Sequence, residues 1–455
     1  MNKLIFPLIY LAFILLVVAT NLFISSIDIN LLFSVLLVII FIVLRSFVAG
    51  GDKVSPDIVF VVFFYIFHFG YFYLYYLNLA DYDSEIFLFP YYLGEAIFYL
   101  LICCSGFLLS YYIFYNYKDF NADFLKASAG LNNNTIYFLK ILLILLFLSF
   151  WVPILSLAPE IFYDFSLMRS VGEKGLGGKF YWFGQIVGIT IVSLYFYNKL
   201  SNGQKFFNSL FDILPLSIVF ASFLLGQRTY FLFYAIVLVS IYHNFYRNIN
   251  FFKLFLSSII VFSFSAVIAV SRVESVYNPI DALNLYLSNK ENGFIISALH
   301  EFGLTFKTIP FIMYLTEDGN YWYFKSYLNS LMLSLPNLSD NIRTSNENMD
   351  SWVTYQLFGD DTYGRGGSIA MEAYGSFGPI FGSFFFFILG GFTAKLYNNF
   401  RFNSSLYYFS LYYAFLGALM LWMRANSNFL FRILIWSLII TFLLLFFKKI
   451  LSHKR

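Results

Sequence analysis

Charge is scarce in this sequence. Only 12 % of its 455 residues are Asp, Glu, Lys or Arg, against 60 % hydrophobic, and that balance excludes a water-soluble globular protein. The formal net charge is only +3, with no long basic run before the last residues, so nucleic acid is not an expected partner. Cysteine is almost missing. Cys103 and Cys104 are adjacent in an apolar stretch, point different ways on a helix and have no third thiol to join, so neither a disulfide nor a metal cluster is expected. The four histidines, His68, His243, His300 and His453, lack metal-ligand spacing. Gly175, Gly177 and Gly178, beside Arg169 and Lys174, are not followed by Gly-Lys-Ser/Thr, which excludes a phosphate-binding loop of the nucleotide type. Asp360-Asp361 lacks the Asp-x-Asp spacing of a nucleotide-sugar metal site. No cofactor and no metal are expected. The chain also has no internal repeat, low-complexity tract or separate soluble domain, and no small-x-small cleavage pattern follows its first apolar run, so that run is expected to stay as a span.

What the sequence has in quantity is apolar runs. A membrane span needs about 20 mostly apolar residues, and about twelve such segments occur: 4–19, 31–47, 58–77, 91–115, 135–157, 180–197, 206–225, 229–243, 251–270, 369–396, 406–423 and 429–447. The expected fold is therefore all-α and polytopic. Short loops keep Lys and Arg on the cytoplasmic side. Lys3, Arg45 with Lys53, Lys118 with Lys126, Lys199 with Lys205, Arg247 with Lys253, Lys395 with Arg401, and the tail from Lys448 all share one parity. Both termini are thus expected in the cytoplasm. The segment 293–315 is apolar but carries His300, Glu301 and Lys307. If it crossed, the later basic loops would land outside, so it is read as an interfacial or re-entrant helix. The expected organisation is a membrane domain over 1–271, a large periplasmic loop over 272–368 between the ninth and tenth spans, and a membrane domain over 369–455. The loop is too long for a plain connector. Its Tyr321, Trp322, Tyr323, Trp352 and Tyr355 alternate with Asp, Asn and Ser, a mixture suited to stacking on sugars, and equally to a small cap with its own core.

Several arginines break the parity rule: Arg228 in a tight turn, Arg272 at the end of the ninth span, Arg365 before the tenth, Arg424 after the eleventh and Arg432 inside the twelfth. A guanidinium offers a fixed fork of donors that fits phosphate oxygens at any working pH. Converging at the outer membrane edge, these five would bind a pyrophosphate without a metal; the plain alternative is snorkelling to lipid headgroups. The acid–base candidates are His300, Glu301, Glu274 and Glu372. Attack by a sugar hydroxyl on an anomeric carbon with a phosphate leaving group needs a base near the hydroxyl and positive charge on the leaving group. Glu372 lies seven residues after Arg365 and is read as orienting an arginine in preference to acting as the base.

Three features give the chain a family likeness. Gly226-Gln227-Arg228 is similar to a Gly-x-Arg element between spans, a large outward loop follows Arg272, and Arg365-Gly366-Gly367-Ser368 runs on to Glu372, Phe377 and Gly378 before a span, with Ser376 where the pattern has Asn. In these the chain resembles the O-antigen polymerases of the Wzy type. The resemblance implies a glycosyltransferase of the bacterial inner membrane. It would act at the periplasmic face on undecaprenyl-pyrophosphate-linked oligosaccharide, in contact with membrane lipid and alongside a flippase and a chain-length regulator of the same pathway. The alternatives are an O-antigen ligase, which shares the arginine logic and the large loop, and a flippase or transporter of the same lipid-linked sugar, which should show repeated halves and charges near the midplane.

Overall fold

The computed structural model describes residues 4–24, 26–48, 54–118, 133–156, 175–224, 228–247, 249–250, 253, 294–334, 348–359, 366–403 and 405–452. Helices account for the regular structure, and no β-strand occurs among the described residues. In chain order they are α1 (Ile5–Phe23), α2 (Ile27–Ser46), α3 (Pro56–His68), α4 (Gly70–Tyr76), α5 (Leu93–Phe114), α6 (Asn133–Ser156), α7 (Gly175–Ser201), α8 (Ile213–Leu224), α9 (Arg228–Phe245), α10 (Phe294–Gly303), α11 (Thr308–Leu315), α12 (Lys325–Ser334), α13 (Met349–Phe358), α14 (Ile369–Phe402), α15 (Leu406–Trp422) and α16 (Ser427–Ser452). Every expected span except the ninth falls on one of these helices, or on the pair α3–α4; 251–270 lies outside the described residues apart from Lys253. Among the described residues, six helices are long and apolar enough to cross a membrane, or seven with α3–α4 counted as one span bent by 53°. The segment 293–315, expected not to cross, is α10, a short 3-10 turn over Leu304–Lys307, and α11. None of these pieces has the length of a span.

The lipid-facing pattern is visible in α1. Leu8, Leu15 and Leu22, a seven-residue stripe, are exposed, while Phe6, Tyr10, Phe13 and Val17 are buried. Leucine outward and aromatics inward is the arrangement for a helix whose outer solvent is hydrocarbon. There, helix pairing relies on close packing and polar contacts, because burying leucine away from lipid gains little.

The described chain divides into two compact units. One comprises Met1–Phe120, Phe302–Phe402 and Trp422–Arg432. Its centre is α5 against α14, and the approach is close enough that a Cβ on Gly390 would lie 2.1 Å from the Phe107 carbonyl oxygen. On the other side of α5, Tyr112 stacks on Phe6 at 5.3 Å and Tyr10 at 5.7 Å. Tyr112 also donates to Asp57 (2.8 Å), and Arg45 pairs with that carboxylate at 3.4 Å. The second unit comprises Asn121–Glu301, Asn403–Leu421 and Ile433–Arg455. Within it α6 and α7 meet where Gly184 faces Ser149, α9 and α15 meet where Gly417 faces the Phe233 ring, and Lys199 pairs with Asp212 at 2.5 Å.

One break in the first unit positions the site. Gly378 has φ 74° and ψ −176°, a conformation open to glycine, and Pro379 follows it inside α14. Pro379 has no N–H to return to the carbonyl four residues earlier, that of Gly375. The Trp322 N–H takes that place and donates to Gly375 O at 2.9 Å. The Tyr321 ring lies against Gly378, where an added Cβ would sit 2.9 Å from it. The segment at Tyr321 and Trp322 is thus fastened to the backbone of α14.

Candidate active site

The site is built on the first turn of α14. Ser368 caps this helix, its Oγ accepting from Met371 N at 3.0 Å and lying 3.3 Å from Thr308 Oγ1. The preceding glycines let the chain pass through a narrow gap. Gly366 has φ 82°, and a Cβ on Gly367 would lie 3.2 Å from Asp350 Cβ and 3.5 Å from the Ala425 carbonyl carbon. The Gly366-Gly367-Ser368 turn therefore runs between α13, which carries Asp350, and the turn joining α15 to α16.

Glu372, one turn further on, is fully buried. Its carboxylate is nonetheless saturated. Oε1 accepts from Ser326 Oγ (2.5 Å) and Ser427 Oγ (2.7 Å), and Oε2 from Trp422 Nε1 (2.9 Å) and Ser427 N (2.8 Å). These donors come from α12, the end of α15 and the start of α16. The Ser427 N–H is the first of the unpaired donors at the N-terminus of α16, where negative charge is favoured. The next donor, Asn428 N, goes to Asn426 Oδ1 at 3.1 Å, so Asn426 is the helix cap and Glu372 its charged complement. Four donors and a helix N-terminus give a physical reason for a carboxylate at this depth, where an unpaired one would be very costly. Among the described residues Glu372 is bound to no arginine; the geometry ties it to the α15–α16 turn.

Arg424 lies in that turn and Arg432 in the second turn of α16, and these are the two expected arginines whose side chains are described. Arg424 lies over the Phe302 ring at 5.1 Å, and Phe302 meets Phe67 edge to face at 5.5 Å. Arg432 donates from Nη2 to Leu333 O at 3.1 Å, near the C-terminal end of α12, where a cation is favoured. Both are half-buried. Arg424, Arg432 and Glu372 thus belong to one unit and one structural junction. Arg228 is the first residue of α9, in the other unit, and its side chain lies outside the described atoms. Arg272, Glu274 and Arg365 lie outside the described residues. His300 and Glu301 are half-buried near the end of α10, at the limit of the second unit.

Two of the five aromatics singled out in the sequence pair with each other. Trp322 and Trp352 are 5.1 Å apart at 56°, and Lys325 Nζ lies 4.8 Å over Trp322. Tyr323 and Tyr355 are exposed. Sequence reasoning missed Asp350. Both oxygens of its carboxylate accept from Asn426 Nδ2, at 3.0 and 3.1 Å. Burial outweighs that bond and pushes the Asp350 carboxyl above its ordinary value. The signal for it is weak in the sequence, because its partner is 76 residues away.

No curated protein and no solved structure matches this chain. The family model described as O-antigen polysaccharide polymerase Wzy matches residues 4–455, nearly its whole length. With its all-helical build and candidate spans, the chain is therefore a multi-pass membrane protein that belongs to the O-antigen polymerase Wzy family, whose members polymerise lipid-linked repeat units.

Proposed function

We propose that this protein extends O-antigen or capsular polysaccharide at the periplasmic face of the bacterial inner membrane. It passes the growing glycan from undecaprenyl pyrophosphate to the non-reducing end of a new lipid-linked repeat unit. The observation that carries the reading is the junction at Glu372. There the Gly-Gly-Ser turn that bears the family likeness meets the α15–α16 turn, with Arg424 in that turn and Arg432 near the start of α16.

In this reading the chain crosses the membrane about twelve times, with both termini cytoplasmic. Residues 1–271 and 369–455 form the membrane domain and 272–368 the outward loop. An acceptor hydroxyl attacks the anomeric carbon of the donor glycan, the anomeric carbon–oxygen bond breaks, and the electron pair leaves on the pyrophosphate. Arg228, Arg272, Arg365, Arg424 and Arg432 bind that pyrophosphate and offset the charge it gains. Glu372 positions the turn that presents Arg424 and Arg432. The proton of the acceptor goes to a base on the outward loop, of which His300 and Glu301 are the members legible in sequence. No nucleotide or metal enters the reaction.

The test is replacement of Arg365 or Arg228 by Ala in a strain that makes the polymer. Each is expected to remove long-chain glycan and leave single repeats, with a rate loss of about 10²–10³-fold, the usual cost of losing a donor to developing negative charge. Wild-type chain lengths in both variants, at normal expression, overturn the reading. Accumulation of lipid-linked units on the cytoplasmic side after deletion would point to a flippase instead.

A further inference from the structure

We propose that Asp350 is the general base that takes the proton of the acceptor sugar's hydroxyl, held in place beside the Gly366-Gly367-Ser368 turn by Asn426. The inference rests on the polymerase reading above and names the base that this reading leaves open.

Two carboxylates meet the same junction from opposite sides, and their surroundings differ. Glu372 is fully buried, with four donors filling its two oxygens. It has no lone pair to offer a substrate. Asp350 is half-buried, and the one side-chain donor to its carboxylate among the described residues is Asn426 Nδ2, shared between both oxygens. The backbone N–H groups of Ser351 and of Asp350 itself also face that carboxylate, but Asp350 is partly exposed whereas Glu372 is fully buried. The same amide side chain fixes the Asp350 position, since Asn426 Oδ1 is anchored by Asn428 N at the start of α16. Arg424 is two residues before Asn426 in the same turn. The base on α13 is therefore bonded to the turn that carries a leaving-group cation. Gly367 packs directly against Asp350 Cβ. Two further buried amide oxygens, Asn348 Oδ1 and Asn428 Oδ1, have no hydrogen-bond partner. One stands two residues before Asp350 and the other two residues after Asn426. Amide and carboxylate groups in such a set suit recognition of sugar hydroxyls.

The step balances without a further reactant. The hydroxyl proton moves to a carboxylate oxygen of Asp350, the hydroxyl oxygen bonds to the anomeric carbon, and the old glycosyl–phosphate bond breaks. Polyprenyl pyrophosphate departs with the electron pair, and Asp350 later returns its proton to water. Burial holds this carboxyl above the usual carboxylate range, which brings its basicity closer to the working pH. At the ends of the elements that meet there, the described charged groups are Glu372 in the first turn of α14, Arg424 before α16, Arg432 near its start, and Lys325 at the start of α12.

The experiment uses the full-length protein in lipid nanodiscs with a purified undecaprenyl-pyrophosphate-linked repeat unit. It follows polymer formation across pH, with melting and binding of the lipid-linked unit measured alongside. Wild-type activity is expected to fall towards acid as the base becomes protonated. Asp350→Asn is expected to lower the rate about 10²–10⁴-fold, with the melting transition and substrate binding kept. Asn426→Ala removes the bond that favours the ionised form, so its acid limb is expected to move to higher pH. A merely structural role would not produce that shift. An Asp350→Asn enzyme within a few-fold of wild type overturns the inference and returns the role to His300 or Glu301. If Asp350→Asn does not fold, an Asn426→Ala profile with an unmoved acid limb overturns it. A folded wild-type protein that makes no polymer overturns the polymerase reading, and this inference with it.

Discussion

The two oxygens of Glu372 face partners of different kinds. Oε2 accepts from an indole and a backbone amide, which can only donate, whereas Oε1 accepts from two serine hydroxyls, which can also accept. A glutamine fits this environment in one orientation. Its oxygen takes the place of Oε2, and its NH2 group donates to the turned hydroxyls of Ser326 and Ser427. Glu372→Gln is therefore expected to fold and to keep polymer formation within roughly tenfold of wild type, a change of about 1.4 kcal/mol. Glu372→Ala leaves the Trp422 and Ser427 donors buried without acceptors, at about 1–3 kcal/mol each. It should melt earlier and express poorly. Thermal melts of both variants with a polymer-length assay check this. Loss of all activity in a well-folded Glu372→Gln protein would mean that the carboxylate takes part in chemistry. The sequence reading has Glu372 orienting an arginine; its described backbone partner is Ser427 N, at the cap of α16. That partner was not legible, because it is 55 residues away in the chain. Asp350 was missed for the same reason, since an Asp next to Ser351 and Trp352 in a polar loop carries no local mark of its role.

At the scale of elements, the packing of α5 on α14 depends on glycines that differ in how much room they leave. At Gly390 a Cβ would meet the Phe107 carbonyl oxygen at 2.1 Å, and the obstacle is backbone that cannot rotate away. At Gly106 the nearest atom is Ser383 O at 3.7 Å, an ordinary contact. Gly390→Ala is expected to destabilise by about 1–3 kcal/mol or more, whereas Gly106→Ala should be neutral or slightly stabilising. Fluorescence-detected melting in detergent distinguishes them, and equal melting temperatures would show that the helices separate more easily than this contact implies. Helix positions were readable from the sequence because a span needs a long apolar run, a local property. The glycine spacing gave no hint of which helix would be met. The sequence reading took 369–396 as one unbroken span, so the break at Gly378-Pro379 and the amide that completes it came from the structure.

For the whole molecule, the signal in the sequence was distributed: the paucity of charge, the repeated apolar runs and the one-sided placement of Lys and Arg. The first two are matched by the helices and the family assignment. The third leads to a test of sidedness. Cys103 and Cys104 are both buried, so the native protein gives a quiet background for thiol labelling. Tyr355→Cys, at an exposed position on α13, is expected to react with a membrane-impermeant maleimide in cells whose outer membrane alone has been opened. Lys205→Cys, also exposed, should react only after the inner membrane is breached. The reverse pattern would place the long loop in the cytoplasm and remove the proposed access to periplasmic substrate.

The bond from Trp322 to Gly375 is made by main-chain atoms at both ends. Any residue with an amide hydrogen can supply it at position 322, whatever its size or polarity, and proline alone cannot. At that point the chain is read as backbone, so drift in side-chain identity there leaves the repair of the interrupted helix intact, and a single imino acid would undo it.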